Sequence, residues 1–387
     1  MHQGPLKNDG DSADSVATAR GFARDCIWLR QGEDALTGIA GTCFTAGQPA
    51  TEPMAKSDTR ASPPRPNQLR DCLRSGRFAV TAEIVPPASC DRADLIAKVK
   101  PLKGMADAIN VTDGAGARSH MGSLAAAVLL LEAGVEPILQ LTCRDRNRIA
   151  LQSDLLAAAA LGIENLLLLR GDDPSAGDQP DAKPVFDIDS MALTEIARRI
   201  RDRQELMSGQ KVSGKANFLI GAADSPVDPP AGWKPTRLKA KIDAGTQFVQ
   251  TQFCMDAQVV KRYGQCLADN GLAGFPLLIG LAPIRSARSA RWIRDKLPGS
   301  IVPDAVIERL ERSSEPVREG RKICLELVDE LSDIPEAAGV HIMAPGNDAG
   351  LAEVVAEAAR IAQGKTRKPP DQRVAEETSE GWRLNPR

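Results

Sequence analysis

Five short apolar runs in this chain each end on residues that can do chemistry. In FAVTAEIVPP the residue is Glu83, in AINVTD it is Thr112 and in EPILQLTC it is Gln140. NLLLLRGD ends on Arg170 and Asp172, and FVQTQF on Gln252. A polar group inside an apolar run costs free energy unless it has a partner or a job. Glu83 lies between apolar neighbours, where desolvation should raise its pKa and suit it to general-acid work. The alternative is a strand-end glutamate paired with an Arg or Lys. Asp172 and Asp173 could serve acid–base chemistry, face a polar ring or hold a metal, or be plain loop carboxylates.

Weaker signals surround these. Gly114-Ala115-Gly116-Ala117-Arg118-Ser119 follows a strand but lacks the third glycine of a dinucleotide fingerprint. It reads instead as a loop that lets a ligand approach the backbone. Isolated histidines such as His120 and His341 are more often loop or surface residues than ligands. No metal-binding spacing, nucleophile elbow or phosphate-binding P-loop is present. Arg170-Gly171-Asp172 spells an adhesion tripeptide by chance.

The elements that must position these residues alternate along the chain. Strands are expected at 78–85, 108–112, 137–142, 166–169, 218–222, 248–252, 277–281 and 340–343. Helices are expected at 92–103, 123–133, 146–161, 191–206, 235–244, 257–270, 287–296 and 351–361, with one long helical region at 304–331. Asp189 or Ser190 should cap the 191–206 helix. Strands alternating with helices imply a parallel sheet, and continuous runs such as NLLLL suit strands covered on both faces. Eight such units favour a closed α/β (β/α)8 TIM barrel, with a doubly wound open sheet as the alternative. In a barrel the strand ends share one rim, so the five runs deliver their polar residues to one place.

Residues 1–68 are aperiodic and rich in small, polar and proline residues. They read as a mostly disordered extension, with one turn of helix near 22–29. Residues 69–364 form the barrel and 365–387 a polar tail. The chain has 387 residues, 49 basic and 51 acidic, and a net charge of −2, so no basic stripe points to nucleic acid. Tyr263 is the only tyrosine, which argues against base stacking. Eight cysteines without a C-x-x-C pair read as reduced thiols. No apolar run approaches membrane-spanning length. The polar, acidic start does not read as a secretory signal, so a cytoplasmic location is expected.

TAEIVPP, INVTDGAGARSHMG, LTCRDRN, SDLLAAAALGIENLLLLRGDDP, VFDIDS, KIDAGTQFVQTQF and a strand ending LAP occur in that order. Together they resemble the methylenetetrahydrofolate reductase family over residues 78–361. The resemblance implies a flavin-containing (β/α)8 barrel that reduces methylenetetrahydrofolate to methyltetrahydrofolate. It implies Glu83 as catalytic acid, Asp172 near the flavin ring and the folate, and Gln252 against both pterin and nicotinamide. Thr112, Arg170 and Lys241 fall on flavin contacts, and Gln140, Gly171 and Asp172 join the cofactor-binding set. Phe186, Asp187 and Ser190 fall on a loop that holds the cofactor.

The chain departs from the better-known bacterial members of the family. They carry a histidine where Gln140 stands and a tyrosine where Ala223 stands. An aspartate near Lys234 and an aromatic near Ala287 are also missing. These departures leave FAD against FMN, and NADH against NADPH, open. The resemblance implies folate and nicotinamide partners and a homo-oligomer. A non-redox pterin-binding methyl-transfer component, or a subunit needing a partner protein for electron input, are the competing readings.

Overall fold

The computed structural model describes residues 67–344 and 350–367, and the strands at 376–378 and 381–383. The extension expected at 1–68, including the helical turn near 22–29, lies outside the described residues as far as residue 66, as does most of the tail. Eight parallel strands close into a barrel in sequence order. They are β1 (Ala79–Ile84), β2 (Ala108–Val111), β3 (Pro137–Thr142), β4 (Asn165–Leu169), β5 (Leu219–Asp224), β6 (Phe248–Phe253), β7 (Leu277–Leu281) and β8 (Ala337–Ile342). β8 returns to pair with β1, with Thr81 opposite His341. The TIM barrel therefore stands and the open sheet does not.

Ahead of β1 lies α1 (Gln68–Ser75). The crossover helices begin with α2 (Arg92–Val99), α3 (Ser123–Glu132), α4 (Arg148–Ala160), α5 (Ser190–Arg203) and α6 (Thr236–Ala244). They continue with α7 (Ala257–Leu267), α8 (Ala287–Lys296), α9 (Asp304–Arg312), α10 (Pro316–Ser332) and α11 (Leu351–Ala362). Side chains of Asp91, Asn147, Asp189, Asp256 and Ser286 accept from backbone N–H groups of the first turns of α2, α4, α5, α7 and α8. Each satisfies donors that a helix start leaves without an intrahelical partner.

One expectation needs correction. The long helical region at 304–331 is two helices, because Ser313, Ser314 and Glu315 break it and Pro316 opens the second at a position that needs no N–H. Helix α1, just ahead of the barrel, is capped by Asn67, whose side chain accepts from the Arg70 N–H at 2.8 Å.

Helix α1 closes the N-terminal mouth of the barrel. Leu69, Cys72 and Leu73 pack on inward residues that include Ala79, Ile138, Leu167, Leu219, Phe248 and Leu278. The spacing of these three puts them on one helix face. Phe248 fills the layer above because Gly221 lies opposite, where a Cβ would stand 2.4 Å from the ring. The larger core lies between barrel and helices. After α11 the chain returns to this lower end. Phe78 N–H donates to Lys365 O at 3.2 Å and Arg367 N–H to Gly76 O at 2.8 Å. In the tail, β9 (Glu376–Thr378) pairs antiparallel with β10 (Gly381–Arg383).

Candidate active site

The opposite, C-terminal end of the barrel is polar and open. A cavity of about 660 Å³ sits there, a size that suits a cofactor or drug-sized ligand. Eight of the eleven sequence-derived site residues line it: Glu83, Thr112, Gln140, Arg170, Gly171, Asp172, Lys241 and Gln252. They come from β1 to β4, β6 and the helix after β5, so the strand ends do converge.

Phe186, Asp187 and Ser190 do not line the cavity. Phe186 holds a positive φ of 39°, a conformation that costs a bulky residue free energy. Its ring lies 4.2 Å from the Arg170 guanidinium carbon, in cation–π contact. Asp187 accepts from both the backbone N–H and the Nε of Arg148, each at 3.0 Å, and these bonds hold its carboxyl below the usual range. Ser190 begins α5, and its carbonyl accepts from Thr194.

Glu83 is half-buried, with 21% of its side chain exposed. Its Oε2 accepts from Gln140 Nε2 at 2.7 Å, and His341 Nε2 approaches the same oxygen at 3.6 Å. The partners described for Glu83 are thus the Gln140 amide and His341 rather than an Arg or Lys. Gln252 lies where β6 slips register against β7 between Gln250 and Phe253, a bulge of the kind that re-aims a side chain. Its Oε1 accepts from the Phe253 N–H at 3.1 Å.

The loops above β2 and β4 are tied together. Asp172 Oδ2 accepts from Gly116 N–H at 3.1 Å. Arg144 is buried, bonds Asp145 through two parallel hydrogen bonds and donates to Gly114 O at 3.1 Å. Gly114 has φ of +60° and a Cβ there would stand 2.2 Å from Arg144 Nη2, so this loop position needs glycine. Asp113 accepts from Thr142 N–H at 2.8 Å and is ion-paired with Arg146.

Sequence reading missed a second cluster on the wall. Asp224 ends β5 and accepts from the Tyr263 hydroxyl at 2.5 Å. Burial raises its carboxyl pKa, with the Tyr263 bond and Lys241 opposing. Burial lowers the Lys241 ammonium, against the pull of Asp224, and Lys241 Nζ donates to Ala223 O at 2.5 Å. Burial, then Asp224, push the Tyr263 phenol up. Trp233 covers Tyr263 with ring centroids 5.6 Å apart. The strand-end rule that picked out Gln252 would also have found Asp224.

A polar layer lies directly beneath the rim. Thr81, Asn110, Gln250 and His341 are all buried in the barrel axis. Asn110 and Gln250 exchange two amide bonds, at 2.6 and 2.9 Å. Gln250 Nε2 also lies 3.2 Å from Thr81 Oγ1, and Thr81 Oγ1 lies 3.0 Å from His341 Nδ1. Thr112 Oγ1 differs from these, being buried at the cavity wall with no partner among the described residues. No cluster of three or more potential metal ligands occurs among the described residues, and none of their helices is long and apolar enough to cross a membrane. The described cysteines are free.

Comparison with known proteins adds chemistry to this geometry. The family model described as methylenetetrahydrofolate reductase matches residues 68–359. A protein of Caenorhabditis elegans named probable methylenetetrahydrofolate reductase (NADPH) is 26% identical over 238 residues, which is 59% of this chain and 33% of that protein. Methylenetetrahydrofolate reductase (NADH) 1 of Arabidopsis thaliana is 24% identical over 263 residues, 65% of this chain and 43% of that protein. The chain thus spans well under two thirds of the length of these relatives. Among solved structures, one described as an uncharacterized protein from Clostridium thermocellum that binds two copies of 5-methyl-5,6,7,8-tetrahydrofolic acid superposes with a TM-score of 0.54. It is 14% identical and covers 76% of this chain and 99% of its own, a likeness of fold.

Proposed function

The chain belongs to the methylenetetrahydrofolate reductase family, and on that premise we propose that its rim cavity reduces 5,10-methylenetetrahydrofolate to 5-methyltetrahydrofolate, using a flavin and NADH or NADPH. The observation that carries this reading is Glu83. A carboxyl group stands in the cavity wall with Oε2 engaged by Gln140. Among the described residues Oε1 has no hydrogen-bond partner, which leaves it to carry and deliver a proton.

The residues present fit a flavin. Thr112 Oγ1 is a buried hydroxyl in want of a partner at the wall, and Arg237 and Lys241 bring cations to the β5 side of the cavity. When bound, the flavin relays hydride from the nicotinamide to the one-carbon unit. This chain's residues do the rest. Glu83 gives its proton to N10 of the folate, the bond from N10 to the bridging carbon breaks, and that carbon becomes an electrophilic iminium that hydride can reach. Asp172 is a rim carboxylate whose charge favours the cationic iminium. It is held by the Gly116 N–H. Gln252 presents an amide that can both donate and accept, which suits the mixed edges of a pterin and of a nicotinamide carboxamide. Arg170, braced on Phe186, and Lys241 position the cofactor.

The folate-binding described for the Clostridium thermocellum protein supports a pterin in a barrel of this shape. An absorption spectrum of the purified protein, with identification of any released flavin as FAD or FMN, tests the reading. A flavin spectrum is expected. A colourless protein that cannot be loaded with flavin yet binds folate would instead be a non-redox pterin-binding component.

A further inference from the structure

The polar layer under the rim ends beneath Glu83. Asn110 and Gln250 lock each other's amides by their two mutual bonds. Gln250 Nε2 then has a second hydrogen for Thr81 Oγ1 at 3.2 Å. Thr81 Oγ1 lies 3.0 Å from His341 Nδ1 and 3.2 Å from Val340 O, and Gln250 Nε2 itself lies 3.3 Å from His341 Nδ1, so an amide donor reaches Nδ1 whichever acceptor the hydroxyl takes. A ring whose Nδ1 accepts carries its proton on Nε2. That Nε2 faces Glu83 Oε2 at 3.6 Å. Hydrogen bonds at catalytic groups are often long without substrate and tighten when it binds.

We propose that His341 is the positioning residue of Glu83: a neutral imidazole with its tautomer fixed from below by Thr81 and Gln250, donating from Nε2 to the carboxyl oxygen that Gln140 also holds. With two donors on Oε2, the acid proton is confined to Oε1. The four residues of the layer sit on β1, β2, β6 and β8, so the closed barrel itself sets the geometry. Burying four polar side chains in a barrel axis is costly unless all are satisfied, and this order of donors satisfies them. The inference rests on Glu83 being the acid.

Two substitutions separate positioning from support. His341→Gln keeps an amide donor near the Nε2 position and gives up the Nδ1 acceptor. His341→Asn keeps a polar atom near Nδ1 for Thr81 and gives up the donor to Glu83. In single-turnover reduction of methylenetetrahydrofolate by the pre-reduced holoenzyme, the Gln variant is expected to outpace the Asn variant by about 10- to 100-fold, the scale of a misplaced catalytic group. A purely structural histidine gives the reverse order, and equal rates also overturn the proposal.

A second readout needs no turnover. The chain has three histidines, so nitrogen-15 labelling of histidine gives few ring signals, and the His341 signals are the pair lost in both variants. A protonated Nε2 with a bare Nδ1 is expected. A protonated Nδ1 overturns the assignment. Glu83→Gln distinguishes the two levels of failure. If that variant still reduces folate at close to the wild-type rate, Glu83 is not the acid and the premise of the positioning role fails, while the reductase activity stands. If it does not, but the histidine results come out reversed, only the positioning role fails.

Discussion

At the N-terminal end of the barrel, Glu136 accepts from Gln68 N–H at 2.6 Å and Leu69 N–H at 3.1 Å, and from Asn165 Nδ2 at 2.7 Å. Asn67 Nδ2 donates to Asn165 Oδ1 at 2.8 Å, and Arg70 pairs with Glu164 at 2.8 Å. Every one of these polar groups is spent on holding α1 over an apolar layer. At the C-terminal end the barrel presents Glu83, Gln252 and the Thr112 hydroxyl, which has no partner among the described residues, to a cavity. One end converts polar groups into structure, and the other keeps them for a ligand. In a (β/α)8 barrel this division follows from topology, because the loops that vary most leave from the C-terminal ends of the strands.

The comparison breaks most directly at Glu83. Glu83→Gln keeps the shape and the Gln140 neighbour but cannot give up a proton. Its folate step should slow by about 100- to 10,000-fold, while reduction of the bound flavin by the nicotinamide stays near normal. Stopped-flow measurement of each half-reaction reads both, and folate turnover close to wild type would remove Glu83 as the acid.

At the other end, Leu69→Ala should cost about 2–5 kcal/mol in urea unfolding, since a fully buried side chain leaves a cavity under the barrel. The half-reaction rates of the folded fraction should not change. A kinetic defect at constant stability would show that the two ends are coupled.

Gln252→Leu should weaken both half-reactions by about 1–3 kcal/mol each, because each ligand loses a polar partner. Unchanged folate affinity together with unchanged flavin reduction would leave Gln252 only its bond to Phe253 N–H.

The smallest effect concerns pH. Burial raises the Glu136 pKa in the fold, against the bonds it receives from Leu69, Gln68 and Asn165. The native state therefore holds that proton more tightly than the unfolded chain. The stability Glu136 contributes is full below its unfolded pKa and is lost as pH rises through the raised value. The advantage of wild type over Glu136→Gln in urea midpoint should shrink across that window. An advantage that grows with pH would reverse the sign.

The barrel was legible because runs such as NLLLL suit strands covered on both faces and alternate regularly with helix-length segments. Helix α1 was not, although Leu69, Cys72 and Leu73 already carry its buried face. It is a short helix behind a proline-rich stretch, and only the open mouth of a closed barrel gives that face something to cover. Eight rim residues were legible from strand ends together with the family pattern. The layer beneath them was written in the same strands at period two, with Thr81 two residues before Glu83, Asn110 two before Thr112 and Gln250 two before Gln252. His341 looked isolated because its partners come from other strands. Tyr263 had no local signal at all, since only the packing of α7 brings it to Asp224. Phe186, Asp187 and Ser190 came from family resemblance alone, and of the three Phe186 touches a cavity residue, Arg170.

Passage of hydride from a nicotinamide to a folate at the open end of the barrel is read by adding NADH or NADPH without oxygen to the flavin-loaded protein and then adding methylenetetrahydrofolate. The flavin absorbance should bleach with at least one donor and return on folate addition, with methyltetrahydrofolate formed in equal amount. A flavin that bleaches but is not reoxidised by the folate, with no methyltetrahydrofolate produced, would rule out hydride transfer to the folate.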